Sequence, residues 1–134
     1  KYYPDYLWNN KTKEYQEGRY SQDAIHEHAL KFIRDNKDKA FFGYFTYTIP
    51  HAELTQPQDS IVEMYRNKFY EPKPFYSDGD YGTALNPRTQ FAAMITRLDT
   101  YKVLPIELYS FSLVIMVLIR RVVPILISLI QKHV

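Results

Sequence analysis

One histidine stands where a segment that favours a β-strand gives way to a loop. In "YFTYTIPHAELTQP", residues 44–57, an aromatic and β-branched run ends at Pro50, and His51 and Glu53 follow. A histidine side chain has an unperturbed pKa of about 6.5, so it can donate or accept a proton at neutral pH. On position alone, a strand-end histidine hydrogen-bonded within the loop is the simpler interpretation of His51. Thr48 and Glu53 could orient its imidazole, but a structural role is favoured for both.

Other chemistry-bearing residues do not form a site. On a helix, His26 and His28 would point about 200° apart, so they cannot share an ion and are expected on the helix surface. Asp78 and Asp80 in "SDGDYG" begin like a calcium loop, but no acid stands at its twelfth position, which favours a tight turn. Arg97 and Asp99 in "TRLD" are predicted to pair on a helix surface. We therefore expect no metal site in this chain.

The pattern upstream of His51 predicts a helix followed by a strand. Ser21 is the predicted N-cap of a helix over 21–36, with Asp23 in its first turn. Its apolar stripe consists of Ile25, Ala29, Phe32 and Ile33. The segment 40–49, "AFFGYFTYTI", predicts a strand buried on both faces within a parallel sheet. Residues 1–20 predict a surface loop with one short strand.

Downstream of His51, the sequence predicts a long loop and a second helix. Residues 52–86 are rich in proline and aromatic residues, and long loops inside compact domains are often functional. Asn86 and Pro87 form a start signal for a helix over 87–101. Together these elements indicate an α/β fold, in which ligands gather beyond the carboxyl ends of the strands. His51 occupies that position.

Composition divides the chain into two unlike parts. The 134 residues suit one domain, the net charge of +2 does not favour nucleic acid, and there is no cysteine for a disulfide or a thiolate. All 15 acidic residues lie within 1–107. By contrast, 108–130 is apolar apart from adjacent Arg120 and Arg121, and an arginine costs about 2.5–3.5 kcal/mol at a bilayer centre. A single membrane span is therefore disfavoured.

The stretch "YTIPHAEL", 47–54, resembles the type I sulfatases, and particularly the arylsulfatase A-like enzymes of bacteria. The resemblance extends upstream through "YSQDAIHEHALKFIRDNKDKAFFGYF" and downstream to "FAAMITRLD", and covers roughly residues 2–101. It implies part of an alkaline-phosphatase-like α/β catalytic domain over 1–101. The parent enzyme would be a sulfuric ester hydrolase, periplasmic or extracellular, that acts on a sulfated carbohydrate or an aryl sulfate.

The resemblance also implies a role for one residue of this chain. In the family, the histidine after this strand contacts the sulfate and assists the departing alcohol, and this role falls on His51. The family nucleophile is a formylglycine hydrate, made from a Cys/Ser-x-Pro/Ala-x-Arg motif, and a calcium ion neutralises the sulfate. Neither that motif nor the calcium-binding aspartates occur in this sequence. The chain alone is therefore expected to be inactive.

The reading frame of the encoding DNA offers an explanation for the apolar tail, 102–134. When the codons for Met116 and Val117 are read in a frame displaced by two nucleotides, they necessarily contain a glycine codon. The two displaced codons before it permit Asp followed by Asn. The displaced frame can therefore encode the Asp-Asn-Gly that the family has after the second helix. We therefore interpret the tail as an out-of-frame translation. Two alternatives stay open: a small membrane-anchored protein that uses 108–130, and a non-catalytic glycan-binding module that uses the aromatic residues of the long loop over 52–86.

Sequencing the encoding DNA through and beyond codon 101 tests the tail. We expect the displaced frame to encode Asp-Asn-Gly-Pro-His and to stay open. Each displaced codon permits only a few residues, so a match to the family segment is hard to obtain by accident. A displaced frame filled with stop codons would instead make the apolar tail a genuine part of the protein.

Overall fold

The computed structural model describes residues 1–71, 73–76 and 82–101, together with the backbone of 113–118. This part is a small mixed α/β structure with a two-stranded antiparallel hairpin and three helices. In chain order the elements are β1 (Tyr6–Asn9), β2 (Thr12–Tyr15), α1 (Ser21–Asn36), β3 (Phe42–Tyr47), α2 (Ser60–Glu63), α3 (Pro87–Thr100) and β4 (Leu113–Leu118). The expectation of a mixed α/β class is confirmed at this level.

The first 20 residues contain two paired strands rather than a loop with one. Strands β1 and β2 pair antiparallel, with Tyr6 opposite Tyr15 and Asn9 opposite Thr12. The turn between them places Asn10 at a φ of 54°, a left-handed conformation that asparagine tolerates well. Each strand is only four residues long, and β2 is mostly polar, so the sequence lacks a clear alternation that signals a half-buried strand.

Helix α1 spans the predicted range, but it begins differently. Ser21 is its first helical residue and not the N-cap, which is the extended residue Tyr20. The Ser21 N–H donates to the carbonyl of Tyr2 at 2.8 Å, so the amino-terminal segment occupies the place of a cap side chain. Along the predicted stripe, Ala29 and Ile33 are buried.

Strand β3 is shorter than predicted, and only one of its faces is buried. Gly43 and Tyr47 are buried, whereas Phe42 and Tyr44 on the other face are 62% and 58% exposed. The prediction of a strand buried on both faces is therefore wrong. Helix α1 packs on one side of β3, strand β4 lies parallel to it, and no element within the described ranges covers the second face.

Helix α3 begins at Asn86 and Pro87 as predicted, but a distant carboxylate binds its amino terminus. The Asn86 side chain makes no capping hydrogen bond. Glu71 instead accepts the N–H groups of Arg88 and Thr89 at 3.0 and 2.9 Å. A negative charge there is favoured by the helix dipole.

The segment that leads from Glu71 to α3 also contains a backbone bridge between two of its own residues. Phe75 and Ala84 form an antiparallel bridge, with N–H to carbonyl distances of 3.0 and 2.9 Å. The Glu71 contacts and the Phe75–Ala84 bridge therefore bring the two ends of this segment together.

The predicted tail lies largely outside the described residues. Only the backbone of 113–118 is described there, and it is a strand. No helix in the described part of the chain is long and apolar enough to cross a membrane. The out-of-frame interpretation of 102–134 and the membrane-anchor alternative for 108–130 both stay predictions.

A buried arginine joins α3 to the loop after His51. Arg97 is 5% exposed, and its guanidinium contacts both carboxylate oxygens of Asp59 at 2.9 and 3.0 Å. It also donates to the Gln56 side chain at 3.2 Å and to the Pro57 carbonyl at 3.3 Å. The predicted surface pair of Arg97 with Asp99 is therefore wrong, because Arg97 points into the structure.

The partners of Arg97 are themselves held by α3 and α2. Gln56 is buried and donates to the backbone and side-chain oxygens of Gln90 at 2.7 and 3.0 Å. Asp59 is the N-cap of α2 and accepts the Ile61 N–H at 3.1 Å. Burial raises the pKa of Asp59, but the hydrogen bonds from Arg97 outweigh this effect and hold that pKa below its ordinary value.

Removing the guanidinium should release this loop from α3. We expect Arg97→Met to lower the free energy of unfolding by about 2–3 kcal/mol, because Gln56 and Pro57 lose a charged donor within the structure. Arg66→Met is the matched control. Arg66 pairs with Glu63 on an exposed surface, so this change should leave the midpoint of urea denaturation nearly unchanged. Equal losses in the two variants would contradict the anchoring role of Arg97.

Candidate functional site

His51 is the last residue of a tight turn that follows β3. Its N–H donates to the Thr48 carbonyl at 3.0 Å, and the Ile49–Pro50 peptide bond inside the turn is cis, as in type VI turns. The Tyr2 hydroxyl donates to the His51 carbonyl at 3.1 Å. Both backbone polar groups of His51 are therefore bound, one within the turn and one by the amino-terminal segment.

The start of the turn is fixed from helix α1. Gln22 is 2% exposed, and its side-chain oxygen accepts the Thr48 N–H at 3.0 Å. Ile49, the next residue, is completely buried in a cluster that includes Tyr2 and Met94. A buried amide and a buried aliphatic side chain thus hold the backbone while the His51 side chain stays exposed.

His51 lies between two open cavities of similar size. The first has a volume of about 480 Å³ and a mixed lining, in which the polar residues Ser21, Gln22, Thr48 and Glu53 stand beside the apolar residues Pro4, Leu7 and Ile25. The second has a volume of about 420 Å³, and most of its lining is apolar: Pro50, Ala52, Leu54, Phe75, Ala84 and Phe91. His51, Ala52 and Glu53 border both. A ligand held at the imidazole could therefore place unlike groups on its two sides.

The residues that flank His51 support the turn rather than the ring. No described residue makes a hydrogen bond with the imidazole; Thr48 contributes backbone groups only. Glu53 adopts a φ of 74°, and its carboxylate lies 3.7 Å from the backbone nitrogen of Lys1. The structural role that the sequence favours for these two residues agrees with these contacts.

The two other histidines of this region have different environments. His28 is exposed and lies 2.9 Å from Glu14 through its Nε2 atom, as expected of a helix-surface residue. His26 is partly buried, stacks on Tyr101 at 4.6 Å between ring centroids, and lies 2.7 Å from the Tyr47 hydroxyl through Nδ1. The surface prediction is therefore wrong for His26.

Burial shifts the pKa values of this aromatic cluster. It raises the pKa of Tyr47 to about 12, and the Tyr47 hydroxyl forms its hydrogen bond with Nδ1 of His26. Burial also lowers the pKa of His26, and the nearby charges of Asp23 and Glu27 only partly offset this. The Tyr101 hydroxyl donates to Asp23 beside the ring. The cluster thus joins β3, α1 and the end of α3.

Among the described residues, no group of three or more His, Asp or Glu side chains could hold a metal ion. Asp78 and Asp80 lie outside the described ranges, so the predicted turn there stays a prediction.

No family model matches this chain, and no curated protein matches it. The assignment of the site therefore depends on its geometry.

Sequence patterns find His51 but miss the residues that hold it. Gln22 and Tyr2 act across 26 and 49 positions of the chain, and nothing local marks either of them. Gln22 lies in the polar first turn of α1, where the sequence pattern fits a solvent-exposed side chain as well as a buried one. These partners become visible only once α1 and the amino-terminal segment pack against the turn.

The environment of His26 predicts a pH dependence of stability. The folded chain favours the neutral ring, whereas an unfolded histidine takes up a proton near pH 6.5, so stability should fall as the pH drops from about 7.5 to about 5.5. His26→Gln should flatten this slope in chemical denaturation measured across that range. His28→Gln, which changes an exposed histidine, should leave it intact. The reverse result would show that His26 does not cause the dependence.

Proposed function

We propose that this chain is part of the catalytic domain of a type I sulfatase, with His51 facing the sulfate ester. The observation that carries the proposal is the exposed imidazole, held by a fixed backbone between a cavity of mixed lining and an apolar cavity. The sequence resemblance supplies the reaction: hydrolysis of a sulfate ester on a sugar or an aryl compound. The alkaline-phosphatase-like fold of the whole domain belongs to the same proposal.

His51 has a specific part in that hydrolysis. As the bond between sulfur and the ester oxygen breaks, negative charge develops on the departing oxygen. An imidazolium N–H at that oxygen would donate its proton and release a neutral alcohol. Before proton transfer, the same cation would attract the sulfate. Both roles require an accessible ring with a fixed backbone, and His51 has both features.

The residues of this chain do not supply the other components that the family uses. No serine stands in a Ser-x-Pro/Ala-x-Arg context, and the chain has no cysteine that could become formylglycine. The described residues contain no cluster of acids that fits a calcium ion. We therefore assign only substrate contact and proton donation to this chain, and expect no turnover from it alone.

Binding and turnover can be tested separately. We expect 4-nitrophenyl sulfate to shift the imidazole resonances of His51 in an NMR titration, whereas 4-nitrophenol, which lacks the sulfate, should shift them much less. His28 provides an internal control because it is exposed but outside both cavities. An unchanged His51 signal, or equal shifts at His28, would remove the proposed role of His51.

A colorimetric assay for released 4-nitrophenol tests the expected lack of activity. The parent chain and His51→Ala should both release it at the background rate. Turnover by the parent chain above that of His51→Ala would contradict the conclusion that the nucleophile lies outside this sequence, while supporting a catalytic role for His51.

A further inference from the structure

The outer face of the β1–β2 hairpin carries an unusual set of side chains. Tyr6 and Trp8 are two residues apart on β1, and their partners across the ladder are Tyr15 and Lys13. Residues with this spacing and pairing project from one side of a sheet. Tyr6, Trp8, Lys13 and Tyr15 therefore form one surface, here called the hairpin face.

The hairpin face is open, and its rings contact one another. Trp8 is 61% exposed and Tyr15 is 71% exposed. Tyr6, which is partly buried, contacts both edge-on, with ring centroids 5.7 Å from Trp8 and 6.1 Å from Tyr15. Tyrosine and tryptophan side chains have only two side-chain torsions, so they lose little conformational freedom when they bind a ligand.

A single cation lies among these rings. The Lys13 ammonium is 4.0 Å from the ring centroid of Tyr6 and 5.4 Å from that of Trp8. Within the described part of the chain, no carboxylate lies within 4 Å of it. The charge is thus held by ring faces and stays available to an anion.

We propose that the hairpin face binds an anionic carbohydrate, with sugar rings against Trp8 and Tyr15 and a sulfate or carboxylate group at Lys13. The C–H groups on one side of a pyranose ring suit the negative face of an aromatic ring, and the exposed hydroxyl groups stay hydrated. Charge complementarity favours this ligand over an uncharged sugar. One cation beside two exposed rings suits one anionic group per sugar better than the dense phosphates of a nucleic acid.

This binding site is separate from the one that contains His51. Leu7, which projects from the opposite side of β1, borders the larger of the two cavities at His51. The hairpin therefore forms a wall of that cavity with its inner side and presents the hairpin face outward. The proposal does not require hydrolysis, and it can succeed or fail independently of the sulfatase assignment.

Trp8 provides a direct measurement because it is the only tryptophan in the chain. We expect its fluorescence to change saturably with a sulfated chondroitin tetrasaccharide, and to change little with cellotetraose, which is neutral. Desulfated chondroitin tetrasaccharide, which keeps its carboxylates, separates the two sources of charge. Binding of both chondroitin forms assigns Lys13 to either anion, and binding of the sulfated form alone assigns it to sulfate.

Matched variants locate the contact. Lys13→Gln should weaken binding about two- to fivefold, and Tyr15→Ala about three- to tenfold. Lys39→Gln and Tyr70→Ala change an exposed lysine and an exposed tyrosine outside the hairpin and should leave the affinity unchanged. Circular dichroism of each variant checks that the fold is retained. Using His51→Ala as the parent protein removes any contribution from the first site.

Several results would overturn the proposal. Cellotetraose could bind as tightly as the charged sugars, or Tyr70→Ala could weaken binding as much as Tyr15→Ala. A single-stranded oligonucleotide could bind more tightly than either chondroitin form, which would assign the hairpin face to nucleic acid. A fluorescence change that depends on protein concentration without sugar would assign it to a second copy of the chain.

Discussion

Arg97 carries a full positive charge from the side of helix α3 into a position where it is almost completely buried. Such a charge is tolerated only when nearby groups neutralise it and accept its hydrogen bonds. Asp59, Gln56 and Pro57 provide these groups, and all of them belong to the loop that follows His51. The requirement to satisfy one guanidinium therefore determines where this loop can run.

The turn that contains His51 is also held by hydrogen bonds from distant side chains, but these side chains are neutral. Gln22 accepts from Thr48, and Tyr2 donates to the His51 carbonyl, so α1 and the amino-terminal segment define the path of the backbone. With Arg97 holding the loop on the downstream side, the turn is restrained from both directions. The imidazole itself has no described hydrogen-bond partner, which leaves its nitrogens available to a ligand in either cavity.

Regular features of the fold were predictable from sequence, because local signals determine them. The bounds of α1 follow from its apolar stripe, and the start of α3 follows from Asn86 and Pro87. The exposed face of β3 was not predictable, since an aromatic and β-branched run looks the same whether or not both faces are covered. Arg97 was misassigned for a related reason: a charged residue two positions from an acid suggests a surface pair until its distant partner is known.

The location of His51 at the end of β3 came from sequence, whereas its surroundings did not. Its supports are polar side chains that act across long stretches of the chain, and single polar residues carry no periodic signal. The aromatic residues of the hairpin are visible in the sequence, but their arrangement on one face depends on the register of β1 and β2.

The Glu71 carboxylate at the start of α3 has a practical consequence for engineering. Together with the Phe75–Ala84 bridge, it fixes the start of α3 through Glu71, Phe75 and Ala84. Loop entropy grows slowly with length, by about 0.6 kcal/mol for each doubling. A reporter peptide or an affinity epitope grafted between Phe75 and Ala84 should therefore leave the helix that bears Arg97 in place, and would report on the apolar cavity that these two residues border.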